Sequence, residues 1–164
     1  MEILPLKYIG YTVAFQEVPG ETSLVFNISG CPYMCKGCHS QYLWDYAGKY
    51  IFDDIDNVLL LYKDLVTCVC FMGGDQNILE LKQLLAKCKS LELKTCIYTG
   101  SNNKSIFDEL FSLLDYFKIG EYVDELGGLS SKDTNQRFYK IIPKEAKQFV
   151  INDITHLFWN KNIL

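Results

Sequence analysis

Hydrophobic and polar residues alternate along this chain with two different periods. Tyr8 to Ala14 and Ser23 to Ile28 are rich in β-branched and aromatic residues and are separated by Pro19-Gly20, which predicts two strands and a turn. Beyond residue 53 the period lengthens. Ile55, Val58, Leu59, Leu61 and Leu65 form an apolar helical stripe, with Asp53 or Asp54 as the expected cap. Val66 to Met72 is a short apolar run ended by Gly73-Gly74, as a buried strand would be. Ile78, Leu81, Leu84, Leu85 and Cys88 then return to helical spacing, with Glu80, Lys82, Gln83 and Lys87 between them. Leu93 to Tyr98 is again strand-like and stops at Gly100. A helix near 103–113 and a strand near 115–119 continue the alternation. Phe138 to Ile142 and Gln148 to Ile151 predict two last strands around a turn that begins at Pro143.

Strands alternating with helices imply a mainly parallel α/β sheet with helices packed over it. A chain of 164 residues holds one core, so residues 1–164 are expected to form a single domain. Its composition, 49% apolar and 22% charged, is that of a globular protein rather than a disordered one. The net charge of −4 arises from 16 basic and 20 acidic residues scattered along the chain; with no basic stripe, nucleic acid is not an expected partner. Nor is a membrane, because no apolar run approaches the roughly 18 to 20 residues of a bilayer span. The early Glu2 and the lack of a following apolar stretch do not read as a signal peptide, so the expected location is the cytoplasm. Seven cysteines, an odd number, point to reduced thiols rather than a disulfide framework.

The chemistry concentrates in Cys31-Pro-Tyr-Met-Cys35-Lys-Gly-Cys38-His39. Three thiols within eight residues, in a loop leaving a strand, can converge on one metal centre. The spacing CxxxCxxC differs from the paired CxxC of zinc ribbons and from the CxxCxxC of bacterial ferredoxins. Iron–sulfur cubanes usually take four thiolates, so three leave either a distant fourth cysteine or an iron with an open position. A zinc site completed by His39 is the competing arrangement, but it would need adjacent side chains to aim at one ion. Cys68 and Cys70 share one strand face and could suggest a metal pair, though a small buried hydrophobe suits both better. Cys88 and Cys96 are core residues by the same logic.

The cysteine loop resembles the signature loop of radical S-adenosylmethionine enzymes. Gly30 to Asp45, with its Gly37-Cys38-His39 ending and the following Trp44-Asp45, resembles in particular the activating enzymes of anaerobic (class III) ribonucleotide reductases. A third match is the Gly127 to Arg137 segment with its Asn135-Gln136 pair. The resemblance implies an incomplete parallel β/α barrel with the cluster at the ends of its strands. It implies that Cys31, Cys35 and Cys38 ligate three irons of a [4Fe–4S] cluster and that S-adenosylmethionine chelates the fourth. It also implies the activity: one electron cleaves the sulfonium to a 5′-deoxyadenosyl radical, which makes a glycyl radical on the large reductase subunit. A flavodoxin- or ferredoxin-type protein would donate the electron.

Further site residues follow from the same resemblance. Gly73-Gly74-Asp75 stands where the family has Gly-Gly-Glu, whose backbone holds the amino group of S-adenosylmethionine; Asp75 is one methylene short, and Gln76 replaces a frequent proline. Read without the family, the segment is a strand-to-helix turn with Asp75 as N-cap. Gly37 and His39 would lie against the cofactor, Gly37 for close approach and His39 either as a hydrogen-bonding group or as loop packing. Tyr33 and Trp44 either shield the cluster or pack as ordinary aromatics. Thr99, at a strand end, could meet the ribose or the methionine carboxylate. His156 has no partner motif and reads as packing or surface.

Overall fold

The computed structural model describes residues 2–159. In chain order it contains β1 (Lys7–Ala14), β2 (Ser23–Ile28), β3 (Lys49–Tyr50), α1 (Ile51–Tyr62), β4 (Cys68–Met72), α2 (Ile78–Ser90), β5 (Lys94–Tyr98), β6 (Tyr116–Ile119), β7 (Arg137–Pro143) and β8 (Phe149–Asp153). One mixed sheet joins all the strands in the order β3-β1-β2-β4-β5-β6-β7-β8.

The apolar periodicity forms the two helices but does not set their ends. On α1, Ile51, Ile55, Val58 and Leu59 are buried, while Leu61 is exposed and Leu65 lies beyond the helix. Its N-cap is the extended Tyr50, not Asp53 or Asp54; both acids sit in the first turn, where they face the positive end of the helix dipole. Helix α2 is capped by Asn77, whose side chain accepts from the Glu80 N–H at 3.1 Å, so Asp75 is not its cap. Around 103–113 the expected helix is replaced by two separate 3-10 turns, Lys104–Phe107 and Phe111–Leu113. Asn103 accepts from the Ser105 N–H and hydroxyl, a local alternative that competes with helix propagation.

The sheet is not the incomplete parallel β/α barrel that the resemblance implies. Only β2, β4, β5 and β6 pair in parallel with one another; the pairings β3·β1 and β1·β2 on one side, and β6·β7 and β7·β8 on the other, are antiparallel. A β/α barrel needs a helical crossover after each parallel strand, whereas this chain has two α-helices among its described residues and joins β1 to β2 and β7 to β8 as hairpins. Both helices pack on one face, over Leu24, Phe26, Val69, Phe71, Ile97 and Phe117. The opposite face buries Val25, Cys68, Cys70, Cys96, Tyr116 and Phe138 beneath Val18 and Phe158. No helix among the described residues is long and apolar enough to cross a membrane.

Candidate metal centre

At the C-terminal ends of the parallel strands, on the face without helices, lies a cavity of about 540 Å³. Crevices at this edge are the usual ligand sites of open α/β sheets. The loop after β2 forms one wall. It leaves the strand through Gly30 (φ 79), and its two ends are pinned together by Gly30 N–H to the Asp45 carbonyl (3.2 Å) and Cys31 N–H to the Leu43 carbonyl (2.9 Å). Between those pins the chain turns tightly, with Met34 (φ 46) and Gly37 (φ 76) left-handed and Cys38 N–H donating to the Cys35 carbonyl at 3.1 Å. Such a path keeps three thiols on one concave wall.

Cys31, Cys35 and Cys38 all line the cavity and are partly exposed, whereas Cys68, Cys70, Cys88 and Cys96 are buried in the two cores. Burial pushes the Cys88 thiol up to about 12 and raises Cys68 and Cys96 as well, which disfavours the thiolate that a metal requires. Ser40 N–H points at the Cys38 sulfur from 3.3 Å. Among the described residues, no three His, Cys, Asp or Glu side chains gather around a point that one ion could occupy. A cluster takes each thiolate on a different iron, and three thiols spread along one cavity wall fit that demand.

Two more walls come from the ends of β4 and β5. Met72 runs into Gly73 (φ 100) and Gly74 (φ 111), a pair of conformations that L side chains avoid. Gly73 faces the cavity, while Gly74 stands outside its lining, with an added Cβ only 3.1 Å from Leu81. Asp75 faces inward and accepts from the Tyr33 hydroxyl at 2.5 Å and the Thr99 hydroxyl at 2.8 Å, both at Oδ2. Burial, followed by the bond to Asp75, pushes the Tyr33 phenol up to about 12. Gln76, at the expected proline position, accepts from Gly74 N–H at 3.1 Å and donates to the Ser29 carbonyl at 2.9 Å. The turn after β4 is thereby tied to the base of the cysteine loop.

The segment after β6 covers the loop's other side. His39 meets Tyr122 edge-on at 5.6 Å, and Tyr122 donates to Asp124 at 3.2 Å. Gly37 is not at the cavity surface; a Cβ there would stand 3.1 Å from the Asp124 carboxyl, so its missing side chain admits Asp124. Trp44 lines the cavity, as does Gln136, which reaches the Gly120 carbonyl at 3.4 Å. Asn135 instead braces this segment, donating to the Glu121 carbonyl at 3.1 Å.

Lys118 was not anticipated from sequence. It lines the cavity and is 7% exposed, within a strand whose other residues are apolar. Nζ donates to the carbonyls of Gly120 (2.6 Å) and Thr99 (3.3 Å). Burial pulls its ammonium down to about 8 against the opposing pull of Cys35, Cys38, Cys31 and Asp75. A single lysine inside Tyr-Phe-Lys-Ile was the available signal, since a buried charge in a strand needs a purpose. His156 is exposed, in the 3-10 turn Thr155–Phe158, away from the cavity.

Comparison with protein-family models matches residues 18–142 to a model described as a 4Fe-4S single cluster domain. No curated protein and no solved structure matches the chain.

Proposed function

Since the chain belongs to the 4Fe-4S single cluster family, and so is an iron–sulfur protein, we propose that its cluster sits on Cys31, Cys35 and Cys38 with its fourth iron open to the cavity, and that S-adenosylmethionine binds there. On this proposal the protein is an activating enzyme for anaerobic ribonucleotide reductase. When bound, the pair supplies a single-electron cleavage of the sulfonium and a 5′-deoxyadenosyl radical able to take hydrogen from a glycine Cα of the large reductase subunit. The cavity carries the proposal: its volume of about 540 Å³ would hold the cluster against the three thiols and still extend to Gly73, Thr99 and Lys118, space that a cluster which only shuttles electrons has no need of.

The chain's own groups would bind and orient. Lys118 is the one lysine or arginine among the described lining residues, and its ammonium suits a carboxylate. Gly73, without a Cβ, leaves its backbone open to an ammonium group. Trp44 and Tyr33 would keep water from the reacting atoms. The Gly37-Cys38-His39, Trp44-Asp45 and Asn135-Gln136 matches support the reductase as the protein substrate. The donor would be of flavodoxin or ferredoxin type.

An electron carrier is the second reading, favoured by the family description itself and by the partial exposure of all three cysteines. Anaerobically reconstituted and reduced protein decides between them. Release of 5′-deoxyadenosine from S-adenosylmethionine is expected; an intact but inert cluster would leave the carrier. With the large reductase subunit added, a glycyl radical should appear by electron paramagnetic resonance, and cleavage without that signal would remove the activase assignment.

A further inference from the structure

Asp75 and Gln76 are the two positions where the turn after β4 departs from the Gly-Gly-Glu-Pro pattern it resembles, and both side chains reach the cysteine loop. Tyr33 lies between the ligands Cys31 and Cys35, so whatever fixes its ring fixes both. Its hydroxyl is held at 2.5 Å by Asp75, which also takes the Thr99 hydroxyl, and Thr99 Oγ1 in turn accepts from Ser101 N–H at 3.0 Å. Its ring packs on Gly100, where an added Cβ would stand 2.7 Å from Cγ. Three strand ends therefore meet at one carboxylate.

We infer that Tyr33 and Asp75 are a matched pair of positioning residues: the shorter carboxylate leaves room for the Tyr33 hydroxyl, and their bond sets the cysteine loop, hence the open iron, against the Gly73 turn. Gln76 ties the root of the same loop through Ser29. A glutamate at 75 would carry its carboxylate one methylene farther, into a hydroxyl already at hydrogen-bond contact. The two departures from the pattern thus become one adaptation. The part of this inference that concerns S-adenosylmethionine rests on the function proposed above; the part that concerns the loop does not.

The test compares wild type with Tyr33→Phe, Asp75→Glu and the Asp75→Glu/Tyr33→Phe double variant, all anaerobically reconstituted. Cluster loss to an iron chelator and the S-adenosylmethionine concentration that alters the spectrum of the reduced cluster are both measured. A charge-assisted bond of this kind corresponds to about a tenfold effect or more. Tyr33→Phe should therefore lose its cluster about tenfold faster and need about tenfold more S-adenosylmethionine. Asp75→Glu should be similarly impaired, yet add little once the hydroxyl is gone, the non-additivity of directly coupled residues. Wild-type rates in Tyr33→Phe, or additive effects in the double variant, would overturn the pairing. If no spectrum responds to S-adenosylmethionine, wild type included, the cofactor assignment fails while chelator kinetics still decide the pairing.

Discussion

Lys118 Nζ donates to the Gly120 carbonyl at 2.6 Å, two residues farther along the same strand end, with Cys31, Cys35 and Cys38 close enough to act on its charge. The cation is thus immobilised by backbone at the cavity wall rather than paired with a carboxylate. Binding sites use such a group when a ligand is to supply the missing anion.

That arrangement has a pH signature. Lys118 falls from an ordinary 10.5 to about 8 on folding, so the protonated folded form is penalised below pH 8, and the penalty is relieved as pH rises from 8 to 10.5. Relative to Lys118→Met, the apo protein should gain up to about 3 kcal/mol of unfolding free energy across that window. Denaturant titrations of both proteins at several pH values check it; a difference that stays flat would refute the assignment.

Glu21 makes the opposite contribution at the far end of the sheet. Burial raises its carboxyl, but hydrogen bonds from Lys94, Thr67 and Tyr116 outweigh this and hold it below 4.5. Its stabilisation is complete above pH 4.5 and is lost as pH falls through the lowered value. Glu21→Ala should cost about 2 kcal/mol at neutral pH, chiefly through the buried Tyr116 hydroxyl left without an acceptor, since half of the Lys94 side chain is in solvent and the exposed Thr67 hydroxyl also donates to the Thr22 carbonyl. The cost should shrink in acid, as thermal melts at matched pH would reveal.

The seven cysteines should separate cleanly by function. Cys35→Ala is expected to abolish cluster assembly, read as iron and sulfide per chain. Cys68→Ala should retain the cluster and lose only about 1 kcal/mol, the consequence of a small cavity in the buried face. Retention of a full cluster by Cys35→Ala would mean that the ligands have been misassigned.

Gly100→Ala probes the loop from behind. The new methyl would stand 2.7 Å from the Tyr33 ring, so the ring and the neighbouring cysteines must shift, and iron loading should fall. Combining it with Tyr33→Ala removes the two ring contacts under 3 Å, leaving only the Cβ at 3.1 Å, and should restore most of the folding stability without restoring tight cluster retention. Iron content together with the melting temperature distinguishes the two effects.

Much of this was legible along the chain. The strands at β1, β2, β4, β5 and β6 fall where β-branched and apolar runs predict them, and α1 and α2 carry their stripes at the expected spacing. Ends were less legible, because caps are set by backbone geometry: Tyr50 rather than Asp53 starts α1, and Asn77 rather than Asp75 starts α2. Residues 103–113 failed as a helix because Asn103 and Ser105 satisfy the backbone locally in short turns.

The sequence by itself determined the close spacing of the three loop thiols and the positions of β1, β2, β4, β5 and β6 and of the two helices, since thiol spacing and apolar period are local properties. Strand direction and partner choice are not. Tertiary structure alone decided that β1 and β7 pair antiparallel against a four-stranded parallel centre, so that a mixed sheet forms instead of an incomplete barrel. It alone brought Lys118 to the cavity that Tyr33 and Asp75 line, 85 residues from Tyr33 in number, for which no spacing rule exists. The three cysteines needed only eight consecutive residues, but the cavity beside them required the ends of four strands.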